Sequence, residues 1–291
     1  MSKHLILTLL LCFLAFSCTE RIDIKTDDAA PCLSVFGYIT NKINHHFIKI
    51  TYTAGYFTTE PPKGISNATV TISDGTNVCI LTESVDSAGV YVTPPTFYAV
   101  EGKTYTLDIS LDFDNDGVNE QYRATAYMPY ATRVDTVILS PSKIPSTPNL
   151  LLFGKVPDIQ ENNLALYINK NSEKRNIFGY FLILTDSYFE GYDIDGYEFP
   201  CVVRDGIKTG DTIIFRVNSF SHDFSHFISH AKSEVGGSNP IFGGPPADVG
   251  TNIYALDKNN TVKIVGFFGA FPWDEKYTIS DSDYQRPHGS H

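Results

Sequence analysis

One short segment of the sequence carries oxygen ligands at the spacing of a calcium-binding loop. Asp112, Asp114, Asp116 and Glu120 supply side-chain oxygens at positions 1, 3, 5 and 9, and Val118 supplies a backbone carbonyl at position 7. Carboxylates this close together repel one another, and a hard cation would relieve that repulsion. The segment is therefore a candidate calcium site, and no other cofactor is expected.

The same segment departs from the helix-flanked calcium loop in its second half. Gly117 stands at position 6, where the turn is needed, but Arg123 occupies position 12 in place of a bidentate Glu. The segment is thus more like the shorter Asp-rich calcium hairpins of extracellular β-proteins, which have strands on both sides. The alternative is a solvated acidic hairpin in which residues 115–117 serve only the turn.

A second segment, residues 187–199, interleaves aromatic and acidic residues. A saccharide-binding surface uses flat rings against sugar faces and carboxylates to accept hydrogen bonds from hydroxyls, and a peptide groove can use the same groups. The alternative is a hairpin that turns at Asp195 and Gly196 with its rings in the core. The candidate ligand-binding residues are Tyr188, Phe189, Tyr192 and Tyr197.

Residues 219–231 predict one convincing helix, because their apolar residues recur at spacings of three and four. Ser219 or Ser221 can cap its start. The helix also carries His222, His226 and His230, each four residues apart. Neighbouring pairs of these histidines could share a metal ion. The alternative is a polar outer face opposite the Phe residues.

Catalytic signatures are weak or absent. The sequence has no phosphate-cradling Gly-Lys loop, no His-Glu-x-x-His and no Gly-x-Ser-x-Gly elbow. Ser140 and Lys143 match Ser-x-x-Lys, but they lie in a Pro-rich segment rather than at a helix start. We therefore expect a protein that is not an enzyme. The formal net charge of -11 also argues against nucleic acid as a partner.

The N-terminus is typical of an exported protein. Residues 1–17 form a signal peptide whose apolar run is shorter than the roughly 20 residues of a membrane-spanning helix. Ser17 directly before Cys18 resembles the lipobox of bacterial lipoproteins, which implies that Cys18 is the lipid attachment residue. The alternative is a cleaved soluble export signal with an incidental Cys. Residues 18–31 are then a lipidated tether, and their acidic residues resemble an export signal to the outer face of the outer membrane.

Behind the tether, the sequence alternates with a period of two, which favours strands. About seven short strands within residues 32–139 predict an immunoglobulin-like β-sandwich. A Pro-rich connector at 140–149 leads to a second β-rich domain at 150–285 that contains the helix, and residues 286–291 form a tail. Strands are predicted at 33–39, 47–52, 68–73, 78–82, 89–92, 104–110, 121–127, 134–139, 164–168, 177–185, 211–217 and 261–268.

Three cysteines remain in the body of the chain, Cys32, Cys79 and Cys201. An odd number cannot form a complete disulfide framework. Cys32 and Cys79 both fall in or beside predicted strands of the first domain and could pair. The alternative is a set of buried thiols.

The order of several segments resembles a known family. These segments are VFGYIT at 35–40, ISNATVTISDG at 65–75, GKTYTLDI at 102–109, YRATAYMP at 122–129, SFSHDFSHFISHAKSEVGGSNPIF at 219–242 and GTNIYALDKNNTVKIVGFFGAF at 250–271. The order is similar to that of the Bacteroidota lipoprotein family catalogued as domain of unknown function 4249. The resemblance implies an outer-membrane lipoprotein with an immunoglobulin-like front half, encoded near SusC/SusD-type TonB-dependent transporters.

The resemblance also implies a role. We expect a lipid-anchored accessory protein of a nutrient uptake system, with a TonB-dependent transporter and its lid lipoprotein as partners and a glycan or peptide as ligand. It would contact the membrane through its lipid and face the cell exterior. One alternative is a surface hydrolase of glycan or peptide, and another is a structural adhesin-like module.

Overall fold

The computed structural model of the chain describes residues 31–53, 60–142, 147–155, 162–171, 182–185, 195–201, 203, 206–236 and 249–284. The signal peptide, Cys18 and almost all of the tether lie outside the described residues. So do Tyr188, Phe189 and Tyr192 of the aromatic segment.

The described residues form 17 strands and one helix, which confirms the mainly β class. In chain order these are β1 (Leu33–Thr40), β2 (Phe47–Tyr52), β3 (Thr69–Ser73), β4 (Val78–Ile80), β5 (Thr82–Glu83), β6 (Val90–Val92), β7 (Thr104–Leu111), β8 (Glu120–Tyr127), β9 (Arg133–Ser140), β10 (Asn149–Lys155), β11 (Asn162–Lys170), β12 (Leu182–Thr185), β13 (Tyr197–Pro200), β14 (Thr212–Ser221), α1 (His222–Gly236), β15 (Ile253–Ala255), β16 (Ile264–Phe271) and β17 (Trp273–Ile279).

Two five-stranded sheets form the immunoglobulin-like β-sandwich. One sheet has the order β16-β1-β2-β6-β5, and the other has the order β15-β8-β7-β3-β4. Alternate residues of each strand point inward, as in β7, where Tyr105, Leu107 and Ile109 are buried and the residues between them are not. These inward residues form the first hydrophobic core.

The sandwich takes strands from both ends of the chain. β1 pairs in parallel with β16, from Leu33 opposite Ile264 to Thr40 opposite Phe271. β15 pairs with β8 on the other sheet. The sheets therefore do not follow the predicted division at 140–149, because residues 253–271 belong to the sandwich. Periodicity in a sequence indicates a strand but not its partner, since pairing depends on long-range packing.

The segment at 140–149 also connects two neighbours rather than two separate domains. β9 ends at Ser140, β10 begins at Asn149, and the two strands are antiparallel partners. They belong to a three-stranded sheet of order β13-β10-β9. A second core lies between this sheet and a four-stranded sheet of order β12-β11-β14-β17.

A third core covers the opposite face of the four-stranded sheet. It joins Tyr167 of β11 and Phe220 of β14 to Phe267 and Phe271 of β16, with Phe224 of α1 between them. Both the sandwich and the four-stranded sheet therefore contribute side chains to one aromatic cluster. This junction is where the structure brings distant segments together.

The helix begins later than the sequence predicts. β14 continues through Ser221, with Phe220 opposite Asn163 of β11, so residues 219–221 are extended. The Ser221 hydroxyl then accepts a hydrogen bond from the Phe224 backbone N–H at 3.3 Å, which is the expected cap. The apolar side chain of Phe220 could face the core from either a strand or a helix. Its pairing with Asn163 of β11 places it in a strand.

No disulfide joins the three cysteines that the structure describes, Cys32, Cys79 and Cys201. Burial raises the pKa of the Cys201 thiol to about 12. Within the described ranges, we also find no helix with the length and apolarity needed to span a bilayer.

Candidate functional site

The predicted calcium ligands lie at the tip of the hairpin between β7 and β8, and we call residues 112–120 the Asp hairpin. One carboxylate oxygen from each of Asp112, Asp114 and Asp116 lies within 4.8 Å of the others. Asn115 and Gly117 have φ values of 62° and 88°, which give the turn that draws the carboxylates together. Three of the five predicted ligands are therefore neighbours in space.

The other two predicted ligands have local roles in the hairpin. The Glu120 carboxylate accepts a hydrogen bond from the Phe113 backbone N–H at 2.9 Å. The Val118 backbone N–H donates to Asp116 Oδ1 at 2.7 Å. The Glu120 carboxylate is not part of the group formed by the three aspartates.

Backbone N–H groups already donate hydrogen bonds to two of the clustered carboxylates. Asp112 accepts hydrogen bonds from the N–H groups of Asp116 at 3.1 Å and Gly117 at 2.9 Å. Asp114 accepts from the Asp116 N–H at 3.2 Å. These bonds fit both an acidic turn and a calcium loop, so calcium stays a prediction.

The aromatic segment is represented by Tyr197, since the other three candidates lie outside the described residues. Tyr197 is 42% exposed on β13, and its ring centroid is 4.7 Å from that of Phe199. Phe199 in turn packs against the second core. Tyr197 thus shares its ring contact with a core residue, and its predicted role in ligand binding stays a prediction.

The three histidines of α1 lie on its exposed face, opposite the buried Phe224 and Phe227. The ring centroids of His226 and His230 are 4.0 Å apart. Among the described residues, the three histidines do not form a group of three or more metal ligands, and metal binding by a pair of them stays a prediction. This arrangement matches the alternative of a polar outer face.

A different site lies at the junction of the sandwich and the four-stranded sheet. It is a cavity of about 100 Å³ between β1, β16, β11, β14 and β17, and we call it the inter-sheet cavity. Its lining residues are Tyr38, Thr40, Tyr167, Asn169, Arg216, Asn218, Phe271 and Trp273.

Strand register places the polar lining residues side by side. On β11, Tyr167 and Asn169 have the same parity and share a face of the sheet. Across the sheet, Tyr167 is opposite Arg216. Asn218 is opposite Trp273 of β17. Three strands thus present one polar patch, while the residues between them, such as Phe215, face the second core.

Two lining residues of this cavity have a buried amide oxygen without a hydrogen-bond partner among the described residues. Asn169 is 7% exposed and Asn218 is 5% exposed. Among the described residues, four buried side-chain polar atoms lack a partner, and Asn169 Oδ1 and Asn218 Oδ1 are two of them. A buried polar atom left unpaired costs about 1–3 kcal/mol, so native proteins pair such atoms with protein, water or ligand. Both oxygens are out of contact with solvent, so they lie beneath the cavity surface and a ligand in the cavity does not reach them.

Two cationic side chains, Arg216 and Lys42, contact the ring of the lining residue Trp273. The Arg216 guanidinium donates to Glu275 Oε2 from Nη2 at 2.8 Å and from Nε at 3.1 Å. Its central carbon lies 4.0 Å from the Trp273 ring centroid, and Lys42 Nζ lies 4.6 Å from that centroid. These cation–π contacts orient the indole ring.

The two tyrosines of the cavity keep neutral hydroxyls. Burial raises the pKa of Tyr38, and the nearby Arg216 charge offsets part of that effect. Burial also raises the pKa of Tyr167 well above its ordinary value. Both phenols are therefore hydrogen-bonding groups rather than bases at physiological pH.

A buried histidine lies behind the cavity wall. Thr40 Oγ1 is 2.8 Å from His46 Nε2. Burial lowers the pKa of His46 to about 4, so the imidazole is neutral at physiological pH. The pair ties the end of β1 to the loop before β2.

Sequence reasoning missed the inter-sheet cavity. A usable signal was present in β11, where the residues that share a face with buried Ala165 and Tyr167 include Asn163 and Asn169. A polar residue at an inward position calls for a partner. The strand was predicted too short, at 164–168, to include either asparagine.

Comparison with known proteins places the chain in a family. The family model described as "Domain of unknown function (DUF4249)" matches residues 19–277. The chain belongs to the DUF4249 family. This confirms the resemblance seen in the sequence, and the match covers every described strand from β1 to β16 and most of β17.

Other comparisons add little to the DUF4249 assignment. No curated protein matches the chain. Among solved structures, the chain is similar to the FN1–FN3 domains of chicken CNTN1, with 11% sequence identity and a TM-score of 0.28. That match covers 68% of this chain and 65% of the CNTN1 chain, so the protein spans just under two thirds of that structure.

Proposed function

We propose that this DUF4249 protein is a noncatalytic, lipid-anchored protein on the outer face of the outer membrane. In this role it assists a SusC/SusD-type TonB-dependent transporter by binding the transporter or its glycan or peptide cargo. The observation that carries the proposal is the inter-sheet cavity, which brings aromatic rings and polar side chains together from five strands. Such a cavity is suited to binding a ligand.

The chemistry of the cavity supports a role in binding rather than in catalysis. Its eight lining residues include no His, Cys, Asp or Glu. Hydrolysis of a glycoside commonly uses two carboxyl groups that face the bond, as general acid and as base or nucleophile. The Tyr38 and Tyr167 phenols, with raised pKa values, are poor bases. The hydrolase alternative therefore gains no support from this site.

The N-terminal sequence supports the anchor. Acyl chains on Cys18 would hold the protein on the membrane, since each buried CH₂ contributes about 0.8 kcal/mol. The 13 residues from Thr19 to Pro31 reach at most about 45 Å when extended. That reach lets the described β-sheets contact a transporter embedded in the same membrane.

The test is a pull-down of the lipidated protein from its native outer membrane in mild detergent, followed by mass spectrometry. We expect recovery of a TonB-dependent transporter and its lid lipoprotein. The matched control carries a cleavable soluble signal in place of residues 1–18, so it lacks the acyl chains and should recover neither partner. Recovery of the lipidated protein alone would contradict the proposal, and turnover of a polymer by the pure protein would favour the hydrolase.

A further inference from the structure

We propose that His226 and His230 of α1 bind one divalent transition-metal ion, of the kind of Zn²⁺, Ni²⁺ or Cu²⁺, on the exposed face of the helix. The inference goes beyond the proposed function and does not depend on it. The site is also distinct from the Asp hairpin, because carboxylate oxygens suit calcium and imidazole nitrogens suit transition metals.

The two imidazoles lie close enough together for one ion to bind both. Residues four apart in a helix are neighbours on one face, with Cβ atoms about 5–6 Å apart. The ring centroids of His226 and His230 are 4.0 Å apart, so the two rings lean toward each other. Two nitrogens that each lie about 2.0–2.1 Å from one zinc ion are at most about 4.2 Å apart. The pair therefore needs little side-chain movement to bind a single ion.

His222 continues the row of histidines by one turn, but it is farther from its neighbour. The ring centroids of His222 and His226 are 6.4 Å apart. Among the described residues, the three histidines also do not form one group of metal ligands. The ion therefore has two protein ligands, His226 and His230, and water completes its coordination.

The helix fixes the positions of the two histidines because its opposite face is buried. Phe224, Phe227 and Ile228 belong to the third core. The side chains of His226 and His230 are exposed. His226 also lines a surface groove of about 360 Å³, which leaves space for water beside the ring. Metal ligands are positioned best by a rigid element, and here a packed helix presents them to solvent.

The imidazole pair also indicates how firmly the ion is held. Neither ring of His226 and His230 forms a hydrogen bond with another described residue. In permanent metal sites, a ligating His almost always donates its other N–H to a protein group or to water, and this bond orients the ring. We therefore expect an ion that exchanges with the solution, and a fold that does not depend on it.

Copper gives a direct test, because the electron paramagnetic resonance spectrum of bound Cu²⁺ shows how many nitrogens bind it. The experiment uses the lipidated protein in detergent, with His288→Ala and His291→Ala so that the C-terminal tail supplies no imidazole. We expect one Cu²⁺ with two nitrogen ligands. Zn²⁺ should compete with Cu²⁺ for the site, and Mg²⁺ at the same concentration should not.

Two variants and a matched control locate the ion. His226→Ala and His230→Ala each remove one of its two ligands. Loss of an outer hydrogen-bond partner alone weakens a metal site about 10–100-fold, so loss of a direct ligand should weaken Zn²⁺ binding at least tenfold, measured by calorimetry. The control is His222→Ala, on the same exposed face one turn earlier, and it should leave the affinity unchanged. All three variants should keep the melting temperature of the metal-free protein, since the side chains are exposed.

Three results would overturn the inference. The first is no saturable binding of Zn²⁺ or Cu²⁺. The second is binding that survives both His226→Ala and His230→Ala, because the ion would then lie elsewhere on the protein. The third is a loss of affinity in His222→Ala equal to that in His230→Ala, which would show that His230 has no special part in the site. Recovery of a transporter in the pull-down tests the proposed function separately.

Discussion

The Asp hairpin and the inter-sheet cavity both gather oxygen atoms, but they do so in opposite ways. The Asp hairpin collects three carboxylates from five consecutive residues at an exposed turn. The inter-sheet cavity is lined by residues of five strands, which lie as far apart in the sequence as Tyr38 and Trp273. One arrangement is local and open to solvent, and the other is distant and buried.

The two regions also differ in whether solvent reaches their oxygen atoms. In the Asp hairpin, backbone N–H groups already donate to Asp112 and Asp114, and water can reach the remaining carboxylate oxygens. In the cavity, Asn169 Oδ1 and Asn218 Oδ1 are out of contact with solvent and have no protein partner. The hairpin carboxylates can therefore be hydrated without a ligand, whereas the two amide oxygens are closed to water and to a ligand alike.

The largest effect is expected from removal of the ring that packs beside the cavity. Phe224 is fully buried, and its ring centroid lies 5.1 Å from that of Phe220 and 5.5 Å from that of Phe271. Phe224→Ala should lower the free energy of unfolding by about 3–5 kcal/mol, measured by urea denaturation. Asp114→Ala in the exposed hairpin is the control and should change it by less than about 0.5 kcal/mol. Similar losses of unfolding free energy for both variants would contradict the expectation that the buried region contributes more to stability than the exposed hairpin.

Two glycines, one beside the cavity and one in the Asp hairpin, should differ in how far a change to Ala destabilises the protein. Gly266 of β16 has a φ of 100°, and an added Cβ would lie 2.0 Å from the Val35 carbonyl oxygen on β1. Gly117 of the hairpin has a φ of 88°, with open space around it. Gly266→Ala should cost about 3 kcal/mol or more, because it disrupts the β1–β16 pairing that forms one cavity wall. Gly117→Ala should cost about 1 kcal/mol from its backbone conformation alone. Equal melting temperatures for the two variants would show that this wall is not rigid.

Acid pH should lower the free energy of unfolding, because His46 is neutral in the folded protein and takes up a proton on unfolding. The pKa of His46 is about 4 in the folded protein and about 6.5 in an unfolded chain. Between these values the unfolded state binds more protons, so this contribution is complete above pH 6.5 and is lost as the pH falls toward 4. The loss should be about 3 kcal/mol. It is measured by urea unfolding at a series of pH values.

The control for this pH dependence is His46→Gln, which cannot take up the proton. Carboxylates also titrate at acid pH, so the difference between wild type and variant isolates the histidine. We expect the variant to show a flatter profile between pH 6.5 and 4. Parallel curves for wild type and His46→Gln would be inconsistent with a buried neutral His46.

The smallest effect is expected at the Asp hairpin. Extracellular calcium modules have Kd values of about 10⁻⁴–10⁻³ M, and calcium at tenfold excess over Kd stabilises a protein by about 1.4 kcal/mol. We therefore predict a small rise in melting temperature with calcium. The double variant Asp114→Asn and Asp116→Asn should abolish the rise. If wild type shows no rise, the acidic turn without a cation is the correct interpretation.

Local features of the fold were predictable to within a few residues. β2 has the predicted bounds at 47–52, and β1 extends the predicted 33–39 by one residue. Alternation of buried and exposed residues is encoded by near neighbours along the chain. β17 was missed because charged residues such as Asp274 and Lys276 interrupt its pattern. β10 begins inside a segment whose prolines predicted a connector.

The two candidate sites also differ in whether neighbouring residues or distant residues form them. The sequence by itself determined the Asp hairpin, because its ligand spacing and its turn residues lie within nine positions. It also determined the β-rich class, while the choice of Ser221 over Ser219 as the helix cap came from the structure. Tertiary structure alone decided that β16 returns to pair with β1, and that Asn169 and Asn218 meet Tyr38 at a cavity. The physical reason is that strand pairing across 200 and more residues depends on which hydrophobic faces bury one another, and no local pattern encodes that choice.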